Sequence, residues 1–266
     1  KILSLSGSSG KAASELNETL YQALSAGVPV TEDMGQALNA VEAASKLATS
    51  GFTTSASAID VMTTAANAYS DAGYEMSEIS DILLMTQNKG KTTVDELASS
   101  LGRVLPVASA YCVSLEDVGA AEATMTANGI ATAESTTYLK GMLNELGDSG
   151  SGVSKILQEK TGMAFAQLME AGYSLGDVMQ ILQDSVNGDA TAFANLWSSQ
   201  EAGVGALSIA NTGAQAYNET LKEMQNSAGT TEDAYSKMSD TLEFKGNQMK
   251  ETAKNLAISV YNDLEE

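Results

Sequence analysis

Histidine is absent from the 266 residues, and cysteine occurs once, at Cys112. That inventory excludes an internal disulfide, zinc held by Cys and His, and Ser-His-Asp or Cys-His catalysis. The flanks of the lone cysteine, Tyr111 and Val113, predict a small apolar packing residue and not a reactive thiol. Aromatics make up 5% of the chain, one Trp, four Phe and nine Tyr, and none stands beside the acidic pairs as a substrate-stacking cluster would. Basic residues are outnumbered, 14 against 34 acidic, and the resulting charge of −20 repels a phosphate backbone, which disfavours nucleic-acid binding. Lys237 to Lys254 is the most basic stretch, but Glu243 and Glu251 interrupt it and it reads as a solvated mixed-charge helix. No apolar run approaches the ~20 residues that span a bilayer. The opening Lys1-Ile2-Leu3-Ser4 offers no signal-peptide core and no initiator Met, as expected of a piece of a longer protein.

Only Pro29 and Pro106 interrupt a sequence rich in Ala, Leu, Met, Gln and Glu, and apolar residues recur at helical spacing. Ile79, Ile82, Leu83 and Met85 after Met76 are one example; Val178, Ile181, Leu182 and Val186 after Leu175 are another. With 43% apolar residues there is enough to bury a substantial core. The expected fold is all-α: a multi-helix bundle of short antiparallel hairpins with a long C-terminal helix. Helices are predicted at 11–26, 31–50, 54–72, 77–88, 93–111, 114–128, 132–146, 153–171, 174–186, 189–199, 201–226 and 231–264.

Their ends follow a repeated pattern. Ala26-Gly27-Val28, Ser50-Gly51-Phe52, Ala72-Gly73-Tyr74, Asn128-Gly129-Ile130 and Ala171-Gly172-Tyr173 each place glycine just past a helix. There it can turn left-handed without a Cβ penalty while the next residue folds back. Thr31, Thr53, Ser77, Thr132 and Ser174 are then placed to cap the following helix. Acidic residues three positions after a cap (Thr93 with Glu96, Ser114 with Asp117, Ser174 with Asp177, Thr230 with Asp233) suit a first turn whose free amides favour negative charge. Pro106, helped by Gly102, should kink or break the 93–111 helix.

Gly147 to Gly152, glycine- and serine-rich with no apolar anchor, is the strongest linker signal. It divides the expected domains: a core at 1–146, the linker at 147–152 with flanks that move relative to each other, a second helical part at 153–230, and a long amphipathic helix at 231–266. In that helix Tyr235, Met238, Leu242, Met249, Leu256 and Val260 follow a spacing of three and four, with Lys245 and Thr252 as imperfect members. The pattern suits a helix that continues past Glu266 into a coiled coil and self-associates, and equally a lone helix docked on the bundle.

Several constellations resolve into structural readings. The pairs Glu32-Asp33, Asp95-Glu96, Glu116-Asp117 and Glu232-Asp233 have the composition of a glycosidase acid and base, yet each sits in a predicted first turn where the helix dipole accounts for it. No strand precedes the glycines at 147, 150 and 152, and no Gly-Lys-Ser/Thr follows, so they make no phosphate loop. Asp184 to Asp189 lacks the alternating acids and the distal Glu of a calcium loop and reads as a turn around Asn187-Gly188. Gly203 to Ala210 is a small-residue stripe suited to close helix approach, inside the bundle in preference to against another chain. No catalytic residue, cofactor site or metal site is assigned.

Residues 16–146 resemble the core region of the TP901-type bacteriophage tail tape measure family. The resemblance rests on Leu38 to Ala48 followed by Gly51, the Ile59 to Tyr69 helix, Thr92 to Ala98, Val104-Leu105-Pro106-Val107-Ala108-Ser109-Ala110-Tyr111, Val113 to Asp117, Asn128-Gly129-Ile130 and Tyr138 to Leu143. Cys112 departs from it, standing where the family commonly has glycine, which argues against a left-handed turn there. Ser135-Thr136-Thr137 replaces the usual Ala-Gly-Thr. Residues 153–266 match more loosely.

The resemblance implies a structural, non-enzymatic virion protein: a ruler that sets tail length, docks at the tail tip and is released when DNA is ejected. Its implied partners are the tail tube protein, tail assembly chaperones and distal tail or baseplate proteins, in the phage tail and, during assembly, in the host cytoplasm. Membrane contact is expected only on infection. A membrane-active or pore-forming helical protein is the alternative, and a tail-associated peptidoglycan hydrolase ranks below it.

Overall fold

The structure, a computed structural model, describes residues 1–30 and 34–265, with side chains as far as Tyr261. Among the described residues there are seventeen α-helices, one 3-10 turn and no strand, as expected of an all-α chain. In order these are α1 (Ile2–Ser9), α2 (Ala13–Ser25), α3 (Gly35–Ser50), α4 (Ser55–Ala68), α5 (Met76–Lys89), α6 (Val94–Ser100), a 3-10 turn (Leu101–Arg103), α7 (Leu105–Ala110), α8 (Leu115–Ala127) and α9 (Thr132–Gly147). There follow α10 (Gly152–Thr161), α11 (Phe165–Glu170), α12 (Leu175–Ser185), α13 (Ala190–Ala194), α14 (Gln200–Thr212), α15 (Ala214–Gln225), α16 (Thr230–Ser239) and α17 (Leu242–Glu265).

The centre of the bundle is α8. An amphipathic surface helix exposes one face, but Val118 to Thr126 are buried all round, with α5, α9, α14 and α15 packed about them. Small residues permit this: a Cβ on Gly119 would stand 2.7 Å from Thr86 Oγ1 of α5. In α3 the buried Ala37, Ala40, Ala44 and Ala48 recur at helical spacing and bring α2, α4 and α5 close. The large anchors are Leu16, Leu47, Ile59, Met62, Ile79 and Leu83, each contributing about 1.5–3 kcal/mol through burial.

Four of the five expected glycine stops have the predicted geometry. Gly27, Gly73, Gly129 and Gly172 all have positive φ, and after three of them the next amide reaches back to the last turn: Val28 to Ala23 O at 3.1 Å, Ile130 to Met125 O at 3.1 Å and Tyr173 to Leu168 O at 3.1 Å. Gly51 is the exception. Its φ is −94°, and the left-handed residue is Phe52, whose ring is exposed instead of folding back. Gly51 is there for space, because a Cβ would lie 2.8 Å from Val94 Cγ2.

Caps follow the same mixture. Ser114, Ser174 and Thr93 cap as predicted, and Glu96 and Asp177 return the bond to the cap amide. Thr31 lies outside the described residues. Thr54 caps α4 in place of Thr53, Glu75 occupies the cap of α5 in place of Ser77, and Thr132 lies inside α9, one residue past its N-cap Ala131. Thr230 is likewise inside α16, with left-handed Gly229 before it and no side-chain cap.

Several predicted helices are pairs. Pro106 sits in the first turn of α7, where its missing amide has no helical partner to lose, and the 3-10 turn separates α7 from α6. Gly162, at φ +75°, ends α10 and splits 153–171, and Gly213 splits 201–226. The 189–199 segment holds only the short α13, and α1 adds a helix that was not predicted. The C-terminal helix begins at Leu242, because the chain bends at Asp240-Thr241 and leaves 230–239 as a separate helix.

Between α9 and α10 the 148–151 turn is hydrogen-bonded from both sides. Asp148 Oδ1 accepts from Gly150 N–H at 2.8 Å, and Ser151 caps α10 by accepting from Ser154 N–H at 3.0 Å. Gly147 abuts the Tyr111 ring, which any Cβ would overlap. The stripe at 203–210 packs within the bundle as expected: α14 lies on α9, with Gly205 facing Tyr138 and Gly141 facing Ala202. Around Asn187-Gly188, both left-handed, the chain turns from α12 into α13, which Asp189 caps.

Candidate functional site

The outermost apolar feature is α17. Asn255 Nδ2 donates to Leu3 O at 3.0 Å and to Ser6 Oγ at 2.9 Å, Glu251 is buried, and Gly7 lies close to Thr252. The helix is therefore fixed to α1 through its polar side. The apolar side faces outward, with Leu242 91%, Met249 75%, Leu256 66% and Val260 51% exposed. The predicted seam used Lys245 and Thr252, but Thr252 lies toward Gly7, and the positions completing the outward stripe are Gly246 and Ala253.

A groove of about 910 Å³ opens beside α3, α4, α5 and α16. Val28, Ala43, Ala66 and Met76 line it together with Glu42, Glu75, Glu78 and Glu232. Lys46 crosses it, 2.8 Å from both Glu42 and Glu232 and 5.9 Å from the centre of the Tyr235 ring. Burial works to lower the Lys46 pKa, but the two carboxylates outweigh it and the net shift is upward.

The remaining ionisable groups of note are internal, and they join helices far apart in sequence. Asp81 of α5 accepts from the amides of Gly229 and Thr231, each at 2.7 Å, and so closes the N-terminus of α16. Asp117 of α8, fully buried, accepts from Leu175 N–H at 3.1 Å and from Tyr217 O–H at 2.6 Å, tying α12 and α15 to the centre. Burial pushes its carboxyl up to about 6, against those two hydrogen bonds. Glu122, five residues further on, is pushed up to about 7 by burial, partly offset by the hydroxyls of Ser135 and Thr136. Ser135 donates to its Oε2, while Oε1 is buried without a partner. Tyr69 donates to Val113 O at 2.8 Å and Tyr74 to Glu116 Oε2 at 2.6 Å; burial raises both phenols.

The carboxylate pairs singled out in the sequence do not converge. Glu32-Asp33 lies outside the described residues. Asp95 accepts from Thr53 Oγ1, Glu96 closes a capping box and takes Thr132 Oγ1 at 3.0 Å, Glu116 holds Tyr74, Asp117 is internal and Glu232 pairs with Lys46. Cys112 is exposed, not packed, and donates to Glu170 Oε1 at 3.4 Å; burial, slight as it is, and that carboxylate raise its thiol. Its φ of +61° is left-handed, so the turn persists despite the missing glycine. Among the described residues no group of three or more His, Cys, Asp or Glu is arranged to hold a metal ion, and no helix is long and apolar enough to cross a membrane. The sequence did not reveal the roles of Asp81, Glu122 and Tyr217. A charge amid Ala120, Ala121 and Ala123 was the one visible sign that Glu122 is special.

The buried carboxylates hold helices together. Comparison with known proteins agrees with a structural role. Over all of its length the chain is 40% identical to a protein described as a probable tape measure protein of Clostridium phage phiCD119 and spans 29% of that relative. No solved structure matches the chain. The profile of the phage-related minor tail protein family matches residues 1–197, and the chain belongs to that family.

Proposed function

We propose that this chain is the folded core of a tape measure protein, a structural component that sets phage tail length. The observation that carries the reading is the 40% identity to the probable tape measure protein across the chain's full length. The relative is more than three times as long, which leaves room for a helical ruler outside this core; a helix advances about 1.5 Å per residue and so converts chain length into tail length.

In this reading the core docks on distal tail or baseplate proteins, while tube subunits and assembly chaperones gather on the rest of the parent protein. Residues 1–146 form the tape-measure core, 147–152 the junction and 153–230 the second helical part. The protein has no reaction to perform; it resides in the virion tail, after assembly in the host cytoplasm, and leaves ahead of the DNA. Its small-residue helix contacts and unfavourably buried carboxylates suit a domain that must open for passage. Gold-labelled antibody against this chain should mark one end of purified tails. Virions without the chain, or label spread along the tube, would count against the proposal.

A further inference from the structure

Glu122 and the first turns of α9 form a polar patch inside an otherwise apolar centre. Glu122 is 0% exposed and stands on α8 among the buried Ala120, Ala121 and Ala123. Opposite it, the buried side chains at the start of α9 are Thr132, Ser135 and Thr136, and the apolar ones, from Leu139 to Leu146, begin further along. No side chain larger than threonine is buried in those first turns. Lifting them breaks hydrogen bonds and exposes little apolar surface, which makes this a place where the bundle can open locally.

The hydrogen bonds show in which form Glu122 fits. Ser135 and Thr136 bring one hydroxyl proton each. Ser135 Oγ is in bonding range of Glu122 Oε2 and, at 2.9 Å, of Thr132 O; Thr136 Oγ1 bonds Thr132 O at 3.0 Å and also reaches Glu122. A charged Glu122 competes with the Thr132 carbonyl for both protons. A neutral Glu122 brings its own: Oε2–H donates to Ser135, and Ser135 donates to Thr132 O. Oε1 is buried without a partner, and among the described residues neither an amide nor a cation reaches the carboxyl, so its charged form is poorly held.

The charged groups of the surrounding helices are engaged elsewhere or face solvent. Glu116 holds Tyr74, Asp117 holds Leu175 and Tyr217, Asp81 closes α16, Lys89 pairs with Glu223, Glu96 takes Thr132 and Glu145 takes the amides of Ser198 and Ser199. Glu78, Glu134, Lys140, Glu201, Glu219 and Lys222 are exposed.

We propose that Glu122 is a proton-operated latch: as the neutral acid it holds the first turns of α9 on α8, and when its proton leaves to solvent those turns lift and water reaches the carboxylate. The inference deepens the reading of a domain that must open, and rests on it only for the occasion on which the latch is worked. The closed form keeps the proton up to about pH 7, the open form only up to the ordinary value of 4.5. Opening is therefore rarest below pH 4.5, grows between there and about 7, and levels off above.

The test is hydrogen exchange of the 266-residue chain, read by mass spectrometry at pH 5 and pH 7 with the intrinsic rates divided out. Amides of residues 135–138 should lose protection at least roughly tenfold between pH 5 and pH 7. At pH 7 they should exchange at least roughly tenfold faster than the buried amides of α3, because they open without the rest of the molecule. In Glu122→Gln the loss between the two pH values should vanish; Glu122→Met, equally unable to ionise, stands in should the Gln variant not fold. Equal protection at the two pH values, exchange no faster than that of α3, or a loss that persists without the ionisable group would each overturn the proposal, and the first two need no variant. The chain is measured outside the virion, so a negative result removes the latch and leaves the tail-ruler reading to its own tests.

Discussion

Tyr217 donates its hydroxyl proton to Asp117 across 2.6 Å, joining two residues a hundred positions apart at the centre of the bundle. The ring lies against Gly176 on α12, where a Cβ would come within 2.7 Å of it, so a single tyrosine fixes the spacing of α8, α12 and α15. Tyr217→Phe keeps the ring and removes the donor. It should cost about 1–3 kcal/mol in urea unfolding, because the Asp117 carboxylate stays buried with one partner fewer. An unchanged urea midpoint would show that the bond contributes nothing to stability.

Stability should fall as pH rises. Asp117 and Glu122 titrate in the folded protein near 6 and 7, above ordinary values of 3.8 and 4.5. The folded state therefore binds more protons than the unfolded chain between about pH 4 and 7 and loses stability across that window, by on the order of a few kcal/mol. Self-repulsion of a −20 chain acts in the same direction, so a variant must separate the two effects. Glu122→Gln removes the buried ionisation while keeping an oxygen for Ser135. It should raise the urea midpoint at pH 8, leave it nearly unchanged at pH 4, and flatten the dependence between them. An equal effect at both pH values would contradict the assignment.

Gly147→Ala tests the contact between the start of the 147–152 segment and Tyr111. The new methyl group overlaps the Tyr111 ring, so the substitution should destabilise by about 1–3 kcal/mol, as overpacking does. Ala at Gly150, which has nothing nearer than the Asp148 side chain at 3.2 Å, is the control and should cost less. Differential scanning calorimetry of both variants decides the matter.

At Cys112, φ is +61°, a conformation that costs a residue with a Cβ about 1–2 kcal/mol. Cys112→Gly should raise the thermal midpoint, whereas Cys112→Ala, which removes the thiol and retains the Cβ, should not. Equal effects of the two would place the cost in the thiol and not in the backbone.

The sequence made the helices and most of their stops legible because those are local matters. Gly27, Gly73, Gly129 and Gly172 turn left-handed within the reach of their own helices. Gly51 has the same local signature and behaves otherwise, because Val94 presses on it from 43 residues away. Asp117 reads as a first-turn acid, and it is one; its burial depends on α12 and α15, which no local pattern announces. The seam on α17 was half visible. Its four large members are evident in the sequence, but small Gly246 and Ala253 carry no hydropathy signal, and only the packing of Thr252 and Asn255 on α1 shows which side faces out.

The tail-ruler reading is tested most directly by electron microscopy of phage whose gene for the parent protein carries in-frame deletions of helical sequence outside this core. Tails should shorten by about 1.5 Å for each residue removed. Tails of unchanged length in viable particles would contradict it.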